Sequence, residues 1–593
     1  MGVLTLGFAR RNPMDVYDNI LTVVGASLVL SATPLFAQTP VIDLTAAPGT
    51  VQVAPGVQVH GWFYNGTLPG PTLRVTEGQT LRVRFHNRLP DPSTVHWHGQ
   101  PVRLGMDGVP GISRPAVAPG QEFLYELDGL VPGTYWFHPH VHGTQVDAGL
   151  HGVLIVDPAK SSNDPPFDVE QTIVLDDWRN PLGGSFTGHL ANGRSSAGQT
   201  PISVKSGQRL RLRIVNASAV SNYVFALDGH PMTVTHADGN RVRPVVVQAI
   251  PIGIGERYDV IVDCNNPGTW SFAVSSIDNR TQTLVRAVVQ YVGQNQPIPP
   301  ETFVPTNLSS GTLLSYAQLA AFHTVQPITP APDRSYVATL AMRGGRNGME
   351  FTINGQAWPN VTPFAVSAND QVELTMTNTP MMMPMYHPMH VHGHFFRLIG
   401  TAGGTTAPPV KDTVLVRPGG QVGSSVRVQM LMDNPGSWLF HCHDVEHMAQ
   451  GMMTRFDYGG DADADGLANA VDMEPTLASP VLTISDQASA FALGATGQID
   501  VQWTPGQPIV LFAGGNEFQV PLRLPPFGTL VLDLGSSVYF GGTVASSQGT
   551  AGIPYAIPQL PHLVGVRLGF QGIGATTLTG GLRLSTFQAL TVR

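Results

Sequence analysis

One unit occurs three times in this chain of 593 residues, and an internal repeat constrains architecture before any other pattern does. Pro132-Gly133-Thr134-Tyr135-Trp136-Phe137, Pro267-Gly268-Thr269-Trp270-Ser271-Phe272 and Pro435-Gly436-Ser437-Trp438-Leu439-Phe440 each join a tight turn to an aromatic strand. Upstream of each lies a second shared strand: GQTLRVRFHN at 78–87, GQRLRLRIVN at 207–216 and NDQVELTMTN at 369–378. These alternate apolar and polar residues with period two, the mark of a strand with one buried face. The pattern predicts an all-β chain with three β-sandwich domains on one plan, at about 38–158, 159–296 and 297–459. Composition agrees: 65 glycines and 50 prolines accompany only 12% charged residues, about half the usual ~25%. That balance excludes a coiled coil, a long helical bundle and a charged disordered chain.

The copies differ in one respect. After the shared turn, the first continues as His138-Pro139-His140 and the third as His441-Cys442-His443, whereas the second has Ala273-Val274-Ser275. Two more such pairs, His96-Trp97-His98 and His390-Val391-His392, fall in the same two copies. Residues i and i+2 of a strand share a face, so each pair aims two imidazoles one way, and neutral imidazole suits copper, zinc or iron. The scaffold repeats but the ligands do not. This predicts a metal site between copies one and three, with copy two as a structural spacer.

The pair around Cys442 is the most informative, because its thiol projects opposite to the flanking imidazoles. His387, Cys442, His447 and Met452 supply two imidazoles, a thiolate and a weak thioether, the donor set of a blue-copper electron-transfer site. The eight paired histidines then remain for a second, multi-metal centre, one covalent step from Cys442 through His441 and His443.

HWHG at 96–99, HPHVHG at 138–143, HPMHVHG at 387–393 and HCHDVEHMAQGMM at 441–453 resemble the four copper signatures of the multicopper oxidases. The resemblance covers about residues 40–458, and the motif order is similar to that of three-domain laccases and bacterial copper-efflux oxidases. It implies three cupredoxin-like Greek-key domains holding four copper ions. His96 and His390 would hold a type 2 copper, and His98, His138, His140, His392, His441 and His443 a type 3 pair. This cluster would reduce O2 to water with electrons passed on from the type 1 copper. The family uses a carboxylate nine residues after the second histidine of the first pair, here Asp107. An ionisable group there can act as an acid; the alternative is a turn aspartate before Gly108. Where copper-efflux and spore-coat relatives carry Glu after the second type 1 histidine, this chain has Met448, and Glu446 is not an obvious replacement.

The electron donor is open between two classes. Met381, Met382, Met383 and Met385 precede His387, and Met430, Met432, Met448 and Met453 lie near the other type 1 ligands. Thioethers suit Cu(I), so Met383, Met385 and Met448 are candidates for the substrate side of a cuprous oxidase. They equally suit an adaptable pocket for phenols and aromatic amines, as in a laccase. No long Met- and His-rich insertion is present, which favours the laccase-like reading. A third reading, from another class, is a copper-binding or storage protein without turnover; storage gives no reason for Cys442 between cluster ligands. His142 and His394 extend two motifs and are expected around the site or at the surface. His60, His86, His230 and His236 are expected to be ordinary, and Cys264 a small buried apolar residue.

The flanking regions carry separate signals. Arg10 and Arg11 precede the apolar run Ile20 to Leu30 and a cleavage site after Ala37, an export signal of twin-arginine or general type; an uncleaved membrane anchor is the alternative. Export would place the protein in the periplasm, at the cell surface or outside. No later segment is apolar enough to span a membrane. A net charge of −9 without a basic patch excludes nucleic acid as a partner. Asp461, Asp463, Asp465, Asn469 and Asp472, with Gly466, have the spacing of a calcium loop, which would make 460–479 a linker holding one calcium ion; a solvated acidic linker is the alternative. The nearly uncharged 480–593 alternates apolar residues between turns, and predicts a further β-sandwich whose partner the sequence does not name.

Overall fold

The computed structural model describes residues 40–459, apart from 142, 161–163, 185, 324–330, 346–347, 382 and 401–406, and beyond 480 the strands alone. The segment 1–37 read as a leader, the acidic stretch 461–472 read as a calcium loop, Met382 and His142 lie outside the described residues. The chain divides into two compact units, one essentially 39–462 and the other containing the C-terminal strands. Among the described residues no helix is long and apolar enough to cross a membrane.

In the larger unit each copy is a pair of sheets. The first copy pairs one sheet of Val41–Ala54, Val57–Tyr64, Leu81–Asn87 and Glu122–Leu127 with another of Thr72–Thr76, His96–His98, Gly133–His138 and Gly152–Asp157. Copies two and three enlarge this plan to sheets of six and five strands. In all three the opening strand runs parallel to the repeated alternating strand: Val41 opposite Arg82, Leu210 opposite Val169, Arg334 opposite Val372. A parallel neighbour cannot be reached by a hairpin, so the chain must cross between sheets, and this gives the Greek-key course. Alternation along these strands sends Leu44, Val83 and Phe85 into the first core, Leu210, Leu212 and Ile214 into the second, and Val372, Leu374 and Met376 into the third.

The repeated strand ends in asparagine for a reason. Asn87 Nδ2 donates to the carbonyls of Asp91 and Val117, both at 2.8 Å. Asn216 Nδ2 donates to those of Ser221 and Ile252, and Asn378 Nδ2 to those of Met385 and Arg417. One buried amide thus pins the two loops that deliver the next strands in each copy. The second and third copies share a further device. His230 Nε2 and His394 Nε2 meet the hydroxyls of Tyr291 and Tyr458 at 2.7 and 2.6 Å, and each imidazole lies edge-on to a tryptophan, Trp270 or Trp438. His394 therefore has the same packing as a histidine in the copy without ligands. Cys264 is buried in the second core.

The segment from 297, assigned to the third copy by its sequence position, packs on the second. Leu314 and Leu319 belong to the second core. Leu308, on the short helix Thr306–Ser310, covers Val224, Ala226, Ala249 and Ala273. The face that carries histidines in the other copies is thus sealed here by small apolar side chains, and the third sandwich begins at Arg334. In the smaller unit, Val481–Thr483, Thr496–Gln502 and Thr550–Ala556 form one sheet. A larger antiparallel sheet is centred on Pro508–Gly514 and Arg567–Ala575.

Asn216 is fully buried, and its removal takes a hydrogen bond from each of two carbonyls and from the Ser218 amide. Asn216→Ala is expected to destabilise the fold by about 2–4 kcal/mol. Denaturant unfolding measures this, and a loss below ~1 kcal/mol would refute the bridging role.

Candidate metal centre

Strand register brings the histidine pairs together. His96 stands opposite His138 in the first copy. In the third, His390 stands opposite His441 and Met389 opposite Cys442. Pairing fixes which side chains share a face, so His441 and His443 turn toward the seam between copies one and three while Cys442 turns into the third core. All eight paired histidines are buried. Their ring nitrogens converge in three groups: His96, His98 and His390; His98, His138 and His443; His140, His392 and His441. In the last group the His441 Nε2 lies 3.1 Å from that of His392 and 3.4 Å from that of His140.

Six of the eight rings are oriented by a protein acceptor on one nitrogen, whereas both nitrogens of His443 are buried without a partner. The Nδ1 atoms of His96, His138, His390 and His441 donate to the carbonyls of Asp107, Pro139, Asp412 and Cys442, at 2.9, 3.0, 2.9 and 2.9 Å. His392 Nδ1 donates to Asp107 Oδ2 at 2.9 Å. This leaves Nε2 of His96, His138 and His390 buried without a hydrogen-bond partner. His98 is inverted: its Nε2 donates to Asp412 Oδ1 at 3.2 Å, and its Nδ1 is the nitrogen left without a partner. Buried polar atoms normally find partners, and a ring with one nitrogen tied and the other open has the arrangement of a metal ligand. Burial pushes His98, His138, His392, His441 and His443 well below the ordinary imidazole range, with the neighbouring imidazoles adding to it. The same causes push His140 down to about 3. They are therefore neutral near pH 7, as coordination requires.

A second group lies inside the third copy. Cys442 Sγ is 3.7 Å from His387 Nδ1 and 3.5 Å from His447 Nδ1, and the two nitrogens are 3.2 Å apart. A point equidistant from the three atoms is about 2.0 Å from each, close to a metal–nitrogen bond length. Met452 lies in the same core, and its carbonyl accepts the Cys442 amide at 3.1 Å. Burial pushes His387 well down, and His447 to about 4. Burial, with Asp444 next, pushes the Cys442 thiol up; a coordinated cation reverses this by deprotonating a thiol outright. His387 and Cys442 are fully buried, whereas His447 is 8% exposed and packs against Phe351 at 4.1 Å. Asp444 caps the short helix that carries His447, accepting the amides of Glu446 and His447.

The remaining candidates separate clearly. Asp107 joins the histidines, contacting both His96 and His392. Met383 is exposed, Met385 and Met448 are half-buried, and Met430 and Met432 belong to the core. Asp412 and Arg257 were not singled out by sequence, although Asp412 touches His98 and His390 as Asp107 touches His392 and His96. No local motif marks them, because the contacts span 314 residues from His98 to Asp412 and 155 from Arg257 to Asp412. Copy two is also more than a spacer. Its Gly255 has φ +85° and lies so close that a Cβ there would meet His98 at 3.0 Å and His443 at 3.2 Å.

Family models described as multicopper oxidase match residues 45–161, 170–294 and 330–461. Multicopper oxidase MmcO of Mycobacterium tuberculosis is 34% identical over 475 residues, 72% of this chain and 89% of its own. Laccase-4 of Thanatephorus cucumeris is 30% identical over 466 residues, 66% of this chain and 85% of its own. Among solved structures, Fet3p, described as a multicopper oxidase that functions in iron import, aligns with TM-score 0.63 and 22% identity over 71% of this chain and 90% of its own. That last likeness shows the fold.

Gly255→Ala places a methyl group against two of the converging rings in a backbone conformation unfavourable to alanine by roughly 1–2 kcal/mol. It is expected to lower the metal bound per chain, read by elemental analysis of protein equilibrated with limiting cupric ion. Unchanged content would mean that the loop does not wall the site.

Proposed function

Because this chain belongs to the multicopper oxidases, we propose that it couples one-electron oxidation of phenols or aromatic amines, as in a laccase, to reduction of O2 to water. The observation that carries this reading is the position of Cys442. Its sulfur faces His387 and His447, while the residues bonded to it on either side, His441 and His443, belong to the other histidine groups. Two donor sets of different chemistry therefore share one short covalent path. Four copper ions per chain fit these residues: one at His387, Cys442, His447 and Met452, one at His96 and His390, and two among His98, His138, His140, His392, His441 and His443. Bound copper would supply the one-electron chemistry at the first site and the four-electron reduction at the others.

The chain's own groups do the rest. His447 is the ligand of the cysteine site with an edge at the surface, so a reductant docking there needs no opening of the core. Asp107 holds His96 through its carbonyl and His392 through Oδ2. Its Oδ1 is buried 3.1 Å from His96 Nδ1, so the carboxyl group faces the cluster, where a general acid for water formation is needed. The leader at 1–37 is read as sending this activity out of the cytoplasm.

A second reading, a cuprous oxidase, has its own support. Met383 is 58% exposed just before His387. Met349, 45% exposed, lies on the strand Gly348–Ile353 that also carries Phe351 onto His447. Oxygen uptake by copper-loaded protein, with Cu(I) and with a dimethoxyphenol side by side, separates the two. Faster uptake with the phenol is expected; faster uptake with Cu(I), reduced by Met383→Ala, would replace the laccase-like reading. Cys442→Ser is expected to abolish blue absorption and oxygen uptake while the cluster keeps its copper. Surviving uptake would overturn the oxidase mechanism, and an absence of uptake in the unaltered protein with either donor would favour the storage reading.

A further inference from the structure

The histidine cluster has an approximate twofold order that its two carboxylates follow and a single guanidinium breaks. Asp107, from copy one, holds His96 by its carbonyl and His392 by its carboxylate. Asp412, from copy three, holds His390 by its carbonyl and His98 by its carboxylate. The rings stack crosswise in the same sense, His96 on His392 at 3.9 Å and His98 on His390 at 3.7 Å. Asp412 has what Asp107 lacks in this arrangement, a guanidinium from copy two. Arg257 Nη1 and Nη2 donate to Asp412 Oδ1 and Oδ2 at 2.7 and 2.6 Å, a two-pronged pair with both side chains fully buried. A fork of this kind fixes the plane of the carboxylate as well as its place.

The same guanidinium reaches copy one, where Arg257 Nε donates to the Thr134 carbonyl at 3.2 Å. Behind it, Lys411 Nζ lies 2.9 Å from Asp238 Oδ2 and 3.0 Å from Glu256 Oε1. Asp238 Oδ2 also accepts the Thr413 amide at 3.2 Å. Copy two thus grips the strand segment 411–413 from both sides of Asp412. The Gly255 carbonyl accepts Arg257 Nη1 at 3.0 Å, so the clamp and the wall against His98 and His443 are one loop.

We propose that Arg257 is a positioning residue for the copper cluster: it turns the Asp412 carboxylate onto His98 Nε2, and thereby sets His98 to present Nδ1, while the Asp412 carbonyl sets His390. The copy without ligands then determines the geometry of the type 2 end of the cluster. This rests on the reading of the cluster as a copper site. Orienting partners of ligands typically influence metal affinity or activity by about 10- to 100-fold, and a clamp that fixes a carboxylate fixes the ligands it holds.

Arg257→Lys keeps a charge and loses the fork; Asp412→Asn keeps the shape and loses one anionic acceptor. In the full copper-loaded chain, both are expected to retain the blue absorption of the Cys442 site. Both should change or lose the type 2 cupric signal in electron paramagnetic resonance, lose up to about one copper per chain, and slow oxygen uptake at least ~10-fold at equal blue absorbance. Blue absorption reports that the third copy is folded; if Arg257→Lys loses it, Asp412→Asn decides the question. A type 2 signal and copper content unchanged in a folded variant would overturn the proposal. A cluster without copper in the unaltered protein would instead overturn the reading on which it rests.

Discussion

The larger unit is organised around imidazoles buried with one nitrogen satisfied and the other open. An unpartnered polar atom in a dry interior costs about 1–3 kcal/mol, and His96, His98, His138, His390 and His443 contribute such atoms at one seam. Two apolar sandwiches meeting there would gain nothing from this arrangement. A cation among the open nitrogens would satisfy them together, so that metal affinity and the closure of the seam would be one equilibrium. Neutral imidazoles are required for it, and burial pushes His98, His138, His390 and His443 toward the neutral form. The ordering acceptors, mostly backbone carbonyls, cost little because they come from the strands and turns that carry the ligands.

Much of this was legible in sequence because it is local. The alternating strands, the turn before each aromatic strand and the histidine pairs all express the two-residue period of a strand, and register then brings His390 opposite His441. The separate direction of Cys442 follows from the same period. The asparagine at the end of each repeated strand was visible as a repeat, but its task was not, since Asn378 reaches carbonyls 7 and 39 residues away. That the segment after 297 packs on the second copy was hidden for a related reason. Leu308 and Ala273 are unremarkable apolar residues, and only the folded chain shows one covering the other.

What sequence did not disclose are contacts between copies. Asp107 could be singled out because it follows the first histidine pair at a fixed spacing. Asp412 has the corresponding contacts but stands beyond the next loop, beside a lysine that reads as an ordinary surface charge. Lys411 is in fact fully buried between Asp238 and Glu256. Buried charges persist only where they are paired, so the observation that Arg257, Lys411, Asp238, Glu256 and Asp412 are all buried together already implies a constraint that packing alone does not impose.

That constraint bears on why a copy without ligands sits in the unit. A buried ion-pair network is weak evidence for stability, since apolar residues of similar volume often serve as well or better. Its advantage is direction. Hydrophobic contact between sandwiches tolerates small rotations, whereas a forked guanidinium–carboxylate pair does not. The converging histidines come from two copies, so a small rotation of one against the other would misplace four imidazoles at once. Arg257 bonds to the first copy at Thr134 and to the third at Asp412, and so ties both halves to a common reference. The apolar sealing of the face that carries histidines in the other copies and the polar surface the second copy turns toward the seam are then two sides of one proposed role: among the described residues it contributes to none of the candidate metal groups, and it would fix the angle at which the other two copies present theirs.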